Sequence, residues 1–415
     1  MHEVLGIVDL APFAQRYPSP LTGITVVEVG NYMAGPFCGM QLADLGADVI
    51  KVENPRGGDM TRGTPPFIDG ESSNFIRLNR NKRSIALDLK NPAGKEVFRA
   101  LIARADIFIE NLRPGTMRDL DLDYDRLHAI NPRLIYLAAS GFGQSGPYAQ
   151  LAGLDIIAQG MSGLMSITGE PEGEPVKIGV PVTDLVCALY GALAAVSALR
   201  AREKSGVGQF IDVSLFESGV SFAIWEAGRY FATGEVPGRL GSAHQSSAPY
   251  QALRASDGSF TVGATSPANW AAFCRVTGLD ELHADERFAV NADRHKHRAS
   301  LIPLIEAVTM TKPMDHWLDQ LQAAGVPSGR IQNYEQVFSD PHLLERNYFV
   351  DVPHQTLGPV RVLGSPMRFS ATPTRMERAG PRLGEHGAAI LTEIGYAPDE
   401  IDRLLETKAV ELTLH

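Results

Sequence analysis

Apolar and polar positions divide the first half of the chain into short extended runs separated by helical spacing. Ile24–Val29 and Ala47–Val52 are β-branched runs, and between them Ala34–Leu45 repeats its apolar positions with a helical period, with Pro36 near its start. Ala105–Glu110 and Leu134–Ala138 predict two further strands. Asn91–Arg104, which opens on Asn-Pro and carries Val97, Leu101 and Ile102, predicts the helix before them. Strands alternating with helices imply an α/β fold on a largely parallel, doubly wound sheet.

The texture changes near Gly234. Short strands over Tyr250–Leu253 and Ser259–Val262 flank the turn Ser256-Asp257-Gly258, and helical patterns follow over Asn269–Thr277, Arg298–Met310 and Met314–Ala324. Residues 230–330 therefore read as a smaller α+β domain, leaving 1–229 and 331–415 to a large one. Gly358–Gly364 reads as a strand returning to the large domain and Gly387–Gly395 as a terminal helix. A chain of 415 residues fits two domains.

Hydrophobic residues at 44 % and charged residues at 21 % describe an ordinary globular protein, and a net charge of −10 argues against a general nucleic-acid binder. Three cysteines, Cys38, Cys187 and Cys274, are widely spaced without a CxxC pair, which speaks against a disulfide framework or zinc site and fits a cytoplasmic setting. Met1–Pro20 carries His2, Glu3 and Asp9 where a signal peptide needs basic residues and an apolar run. The fifteen uncharged residues Leu185–Leu199 are too few to span a membrane and predict a buried core helix.

That apolar stretch begins directly after Gly179-Val180-Pro181-Val182-Thr183-Asp184. Thr183 or Asp184 suits a helix cap, and the helix dipole and free amides favour an ionised carboxylate there. An ionised carboxylate beside an apolar helix suits covalent catalysis on an acyl carbon, although a plain cap has the same local pattern. Asn31–Pro36, a small-residue turn opening a helix, offers amides to a phosphate or oxyanion. The basic run Arg80, Lys82, Arg83 suits a phosphorylated nucleotide, and Glu110–Gly115 places a second turn at a strand end. Gly141-Phe142-Gly143-Gln144-Ser145-Gly146 matches the dinucleotide fingerprint but comes late and is followed by Pro147, so an oxidoreductase has little else behind it. Arg294–Arg298 is a cationic helix start facing solvent, and no metal-ligating pattern is present.

Several ordered segments together resemble the class III coenzyme A transferases, the CaiB/BaiF family. They are Ala34-Gly35-Pro36, Leu45–Glu53, Gly58–Arg62, Asn81–Ser84, Glu110–Gly115, the stretch around Asp184, and Leu383–His386. The resemblance implies an interlocked homodimer, with a Rossmann-like domain built from both chain ends and a small domain between. It places the catalytic carboxylate on Asp184. It places coenzyme A contacts on Tyr32, Met33 and Ala34, on Leu87, Asp88, Leu89 and Lys90, and on Asn111 and Leu112. The substrates implied are an acyl-CoA and a carboxylic acid, with no tightly bound cofactor, nucleic acid or membrane.

Two departures narrow the activity. The α-methylacyl-CoA racemases of the superfamily carry a histidine where this chain has Leu154 in Ala152-Gly153-Leu154-Asp155, so two-base racemisation lacks one base. Met33 stands where formyl-CoA transferases place a glutamine, and Gly263–Pro267 holds a single glycine in place of their glycine-rich loop. The chain is more similar to transferases that move CoA from succinyl-CoA to a dicarboxylate. Arg56, Arg62 and Arg80 are candidates for the distal carboxylate, and His244 at the domain junction is a further candidate.

Overall fold

A computed structural model describes residues 17–413; residues 1–16, part of the segment read for a targeting signal, lie outside them. Two compact units emerge. The first gathers 17–163, 178–224 and 342–413, and the second gathers 164–177 and 225–341. Against the expected 230–330, the smaller unit thus begins at Trp225, runs to Pro341 and takes in Leu164–Lys177 from the middle of the first half.

The first unit is built on a seven-stranded sheet. Its parallel strands are β1 (Thr25–Val29), β2 (Asp48–Glu53), β3 (Arg83–Leu87), β4 (Ile107–Glu110), β5 (Ile135–Ser140) and β6 (Phe210–Ser214). Their spatial order is 3-2-1-4-5-6, the doubly wound arrangement whose strand order reverses between β1 and β4. Alternation along the strands feeds two cores. Val27 and Phe108 face one side with Phe98 and Tyr136, while Val26, Ile107 and Ile109 face the other with Leu42 and Leu137. The terminal strand Val410–Glu411 pairs antiparallel with β3, so residues from both ends of the chain share this sheet. The expected return strand behaves differently. Gly358–Leu363 pairs only with Phe349–His354, in a separate hairpin.

Helix α1 (Ala34–Asp44) follows β1, and α2 (Pro92–Ile102) is capped by Asn91, whose Oδ1 accepts from the Ala93 amide at 3.0 Å. Helix α3 (Asp155–Met161) precedes the long α4 (Val182–Ser205), and α5 (Leu215–Val220) follows β6. At 24 residues, with a mean hydropathy of 1.8 in its most apolar window, α4 is long and apolar enough to cross a membrane, longer than the fifteen-residue core helix expected. One face, with Cys187, Ala188, Gly191, Ala195 and Ala198, is buried against α1 and the sheet. Leu189, Tyr190, Leu193 and Val196 on the other face are exposed.

The second unit has its own core, in which Trp270, Phe273, Leu301, Ile305 and Leu321 pack under a three-stranded antiparallel sheet. The cationic helix start is only partly solvated. Arg294 is buried over the Trp270 ring and donates to the Ala248, Phe288 and Thr265 carbonyls.

Candidate active site

The turn after β1 is held from two sides. Asn111, just past β4, accepts from the Asn31 amide at 2.8 Å and returns its own amide to the Asn31 carbonyl at 2.8 Å. Asp59 Oδ1 accepts from the Tyr32 amide at 3.2 Å, and Tyr32 takes a left-handed φ of 59°. Gly35 is needed here because a Cβ would lie 3.0 Å from Asn111 Oδ1. Helix α1 then starts with no side-chain cap, leaving its first amides available.

A cavity of about 200 Å³ opens at the carboxyl ends of the strands, where doubly wound sheets bind ligands. Among its walls are Leu87, Asp88, Leu89, Lys90 and Leu112, five of the nine residues expected to contact coenzyme A. Tyr32, Met33 and Ala34 do not line it, but their neighbour Asn31 does, and Asn111 spends its side chain on holding that neighbour. Lys90 is an exposed cation on the wall, and Arg56 is exposed on the turn between the lining residues Asn54 and Gly58.

The basic run does not present a phosphate site. Arg80 is buried and donates from Nε at 3.1 Å and from Nη2 at 2.5 Å to Asp44. Lys82 is buried on Glu28, and Arg83 pairs with Asp48 and Glu393. Arg62 forms a two-pronged pair with Glu53, at 2.7 and 2.8 Å, with its guanidinium 3.6 Å from the centre of the Phe75 ring. Arg80 and Arg62 therefore meet internal carboxylates, whereas the expectation put them on a substrate carboxylate. His244 lies in the second unit with Nδ1 accepting from the Ser246 amide and its ring edge-on to Tyr250. The GxGxxG stretch is a packed turn. A Cβ on Gly141 would come 2.7 Å from the Gly153 Cα, and the Gln144 amide donates to Asp212.

Asp184 sits in the first turn of α4, but neither it nor Thr183 caps the helix, whose N-cap is Pro181. Asp155, at the start of α3, does that work from outside. Its Oδ1 accepts from the Thr183 amide at 3.0 Å and from Thr183 Oγ1 at 2.8 Å, while Oδ2 accepts from Gln159 at 2.7 Å. Gly219 of α5 allows the close packing, because a Cβ there would meet Ser162 Oγ at 2.5 Å and Thr183 Cγ2 at 3.1 Å. The Asp184 carboxyl is left without a charged or hydrogen-bonding partner among the described residues. Burial, and then the charge of Asp155, push its pKa up to about 7, against the expectation that it stays firmly ionised. The helix dipole favours charge here by at most ~2 kcal/mol, too little to offset desolvation.

Helices α1 and α4 lie together at this end. A Cβ on Gly191 would come 3.3 Å from Cys38 Sγ, and the thiols of Cys38 and Cys187, each in the second turn of its helix, are near enough to influence one another. The uncapped start of α1 and the first turn of α4 with Asp184 are thus on the same side of the helix pair. Three further residues escaped the sequence reading. Glu110 is buried, accepts from the Leu112 amide at 2.7 Å and is pushed up to about 7 by burial; Lys51 and Glu28 form a buried pair under the turn. The available signal was a charge placed inside each of three apolar strands.

The sequence matches the model of CoA-transferase family III over residues 21–387. The chain belongs to that family. It is 40 % identical to the succinate–glutarate CoA-transferase of Agrobacterium fabrum over 90 % of this chain and 96 % of that protein. It is 37 % identical to the acetyl-CoA:oxalate CoA-transferase of Acetobacter aceti over 92 % and 97 %. A CaiB/BaiF family crystal structure from Brucella suis superposes with a TM-score of 0.82 at 42 % identity, covering 91 % of this chain and all of that one. This family III CoA-transferase is therefore an enzyme acting on CoA thioesters, and the relatives named act on dicarboxylates.

Proposed function

We propose that the enzyme moves coenzyme A from an acyl-CoA, succinyl-CoA foremost, to a dicarboxylic acid of about four to six carbons, with Asp184 as the covalent carrier. The observation that carries this reading is the Asp184 carboxyl itself: half-buried, unpaired, and poised near neutrality in the first turn of an apolar helix. An Asp184 oxygen attacks the thioester carbonyl, and CoA leaves as thiolate, giving an acyl-aspartyl anhydride. The thiolate attacks the aspartyl carbonyl and frees the donor carboxylate, leaving an aspartyl-CoA thioester. The acceptor carboxylate attacks that thioester and expels the thiolate; the thiolate then takes the acceptor acyl group and restores the Asp184 carboxylate. The cycle balances without a metal or redox group. The uncapped amides at Met33 and Ala34 would steady the oxyanion.

In this reading the cavity takes one end of the CoA thioester. Its size, below the ~300–1,000 Å³ of pockets for drug-sized ligands, fits part of that molecule. Lys90 and Arg56 are the cations that would meet phosphates. Self-association as an interlocked homodimer belongs to the same reading, supported by the apolar faces left exposed on α3 and α4, Ile156 and Ile157 with Leu189 and Leu193. A cytoplasmic setting is supported by three cysteines buried as free thiols. A racemase is disfavoured because Leu154, where a base would stand, is 63 % exposed and apolar.

The test is incubation with succinyl-CoA or acetyl-CoA and a panel running from oxalate through glutarate to matched monocarboxylates, with products read by mass. The expected best acceptor is a dicarboxylate of four to six carbons. Oxalate or a monocarboxylate outperforming every one of these would refute the substrate assignment. Hydroxylamine trapping during turnover should mark the peptide carrying Asp184; a mark confined to a cysteine or lysine peptide would remove the carrier role.

A further inference from the structure

Beneath the turn Asn31–Gly35 lie four charged side chains, Glu28, Lys51, Asp59 and Lys82, each with no solvent exposure. Burying ions is costly unless their hydrogen-bonding capacity is filled, and here the filling follows the turn. Lys51 Nζ donates to Glu28 at 2.7 Å and to the carbonyl of Gly30, just before the turn, at 2.9 Å; Asp59 Oδ2, at 2.9 Å, is its ion-pair partner and accepts no hydrogen bond. Lys82 Nζ reaches the other Glu28 oxygen at 2.7 Å, Asn79 at 2.8 Å, and the carbonyl of Pro36, just after the turn, at 2.7 Å. Asp59 Oδ1 takes the amide of Tyr32 in the middle, at 3.2 Å, and is itself fixed by the Thr61 amide and hydroxyl. Gly30 before the turn, Tyr32 within it and Pro36 in the first turn of α1 are thus tied to a single buried network. Tyr32 adopts a left-handed backbone that side-chain-bearing residues rarely take. Gly30, Asn31 and Asp59 all line the cavity.

We propose that Asp59 and Lys51 are positioning residues for the CoA thioester: they hold Tyr32 in its left-handed conformation so that the following amides and the cavity wall are set before substrate arrives. This rests on the cavity receiving CoA. Asp59 touches no reacting atom in this role; it acts through the Tyr32 amide.

Hydrogen exchange resolved to single amides, together with CoA binding by calorimetry, tests it. In the wild type the Tyr32 amide is expected to be protected, and the Met33 and Ala34 amides to exchange rapidly until CoA is added. If the Tyr32 amide exchanges as fast as that of Met33, the hold is absent and the inference falls. Asp59→Asn keeps the shape and loses the charge; it should speed Tyr32 exchange at least tenfold and raise the Kd for CoA about tenfold. Asp44→Asn, in the buried pair with Arg80 at the opposite end of α1, is the control for a general structural effect. It should lower Tm and leave both readouts within twofold. Equal losses in the two variants, or an Asp59→Asn protein that binds CoA as the wild type does, would overturn the positioning role. A wild type that binds no CoA would instead overturn the functional reading on which it rests.

Discussion

Replacing Asp184 by asparagine should abolish transfer and at the same time make the protein more stable. The folded protein holds the Asp184 proton more tightly than an unfolded chain does, with a pKa of about 7 against 3.8. Wild-type stability contributed by this group therefore falls as pH rises from near 4 to near 7 and is level above. Three pKa units correspond to a ceiling of ~4 kcal/mol. The carboxyl is only half-buried, so solvent screening brings the expected penalty to ~2 kcal/mol. Asparagine keeps the shape but never ionises, so urea unfolding at pH 8 should show the variant ~2 kcal/mol more stable than wild type. At pH 5, where more of the wild-type native state carries the proton, the gain should be smaller. The activity side has the same origin. In the proposed mechanism the nucleophile is the carboxylate, so wild-type kcat/KM for acyl-CoA should fall about tenfold per unit as pH drops below about 7. A variant no more stable than wild type at pH 8, or a gain that does not grow between pH 5 and pH 8, would refute the account of Asp184 as a desolvated, unpaired carboxyl.

Asp155→Asn should move the acid limb of that pH profile to lower pH, since the Asp155 charge is the second cause of the raised pKa after burial; an unmoved limb would remove Asp155 from the electrostatics of the site. Arg80→Ala leaves Asp44 buried without its counter-charge and should cost about 3–5 kcal/mol in urea unfolding, while the preference for dicarboxylates over matched monocarboxylates stays unchanged; a selective loss for dicarboxylates would return Arg80 to the substrate site.

What the sequence made legible was periodic or local. Thr25–Val29, the helix from Ala34 and the Asn91 cap follow from side-chain spacing and from hydrogen bonds spanning a few residues, and the structure has them within a residue or two. The strand Arg83–Leu87 was obscured because the basic run leading into it, Arg80 to Arg83, read as a site for a phosphorylated nucleotide. Its partners are distant in the chain: Arg80 finds Asp44 across 36 positions and Lys82 finds Glu28 across 54. A local pattern cannot show that a lysine enters a core already furnished with a carboxylate. The same blindness set the expected charge of Asp184. Local rules weigh the dipole and the free amides, whereas the decisive terms are burial and Asp155, an element away.

Asp155 at the start of α3 and Asp184 in the first turn of α4 show how one helix terminus can place an anchored carboxylate beside an unpaired one. The free amides there favour one carboxylate, and Asp155 takes that place from outside the helix, with Thr183 and Gln159 filling its oxygens. Once that position is occupied, a second carboxyl in the same turn has no donor left to claim and meets the charge of the first. Asp184 is held in that second position by covalent connection to the helix. An anchored carboxylate is a poor nucleophile, because attack must first break the bonds that stabilise its charge; an unpaired one has none to break. In the proposed mechanism anhydride formation would remove the Asp184 charge altogether, so covalent catalysis would relieve the unfavourable desolvation that the fold imposes on this carboxylate. On that proposal Asp155 would serve the chemistry by taking the hydrogen bonds of Thr183 and Gln159, which leaves the Asp184 carboxyl unpaired.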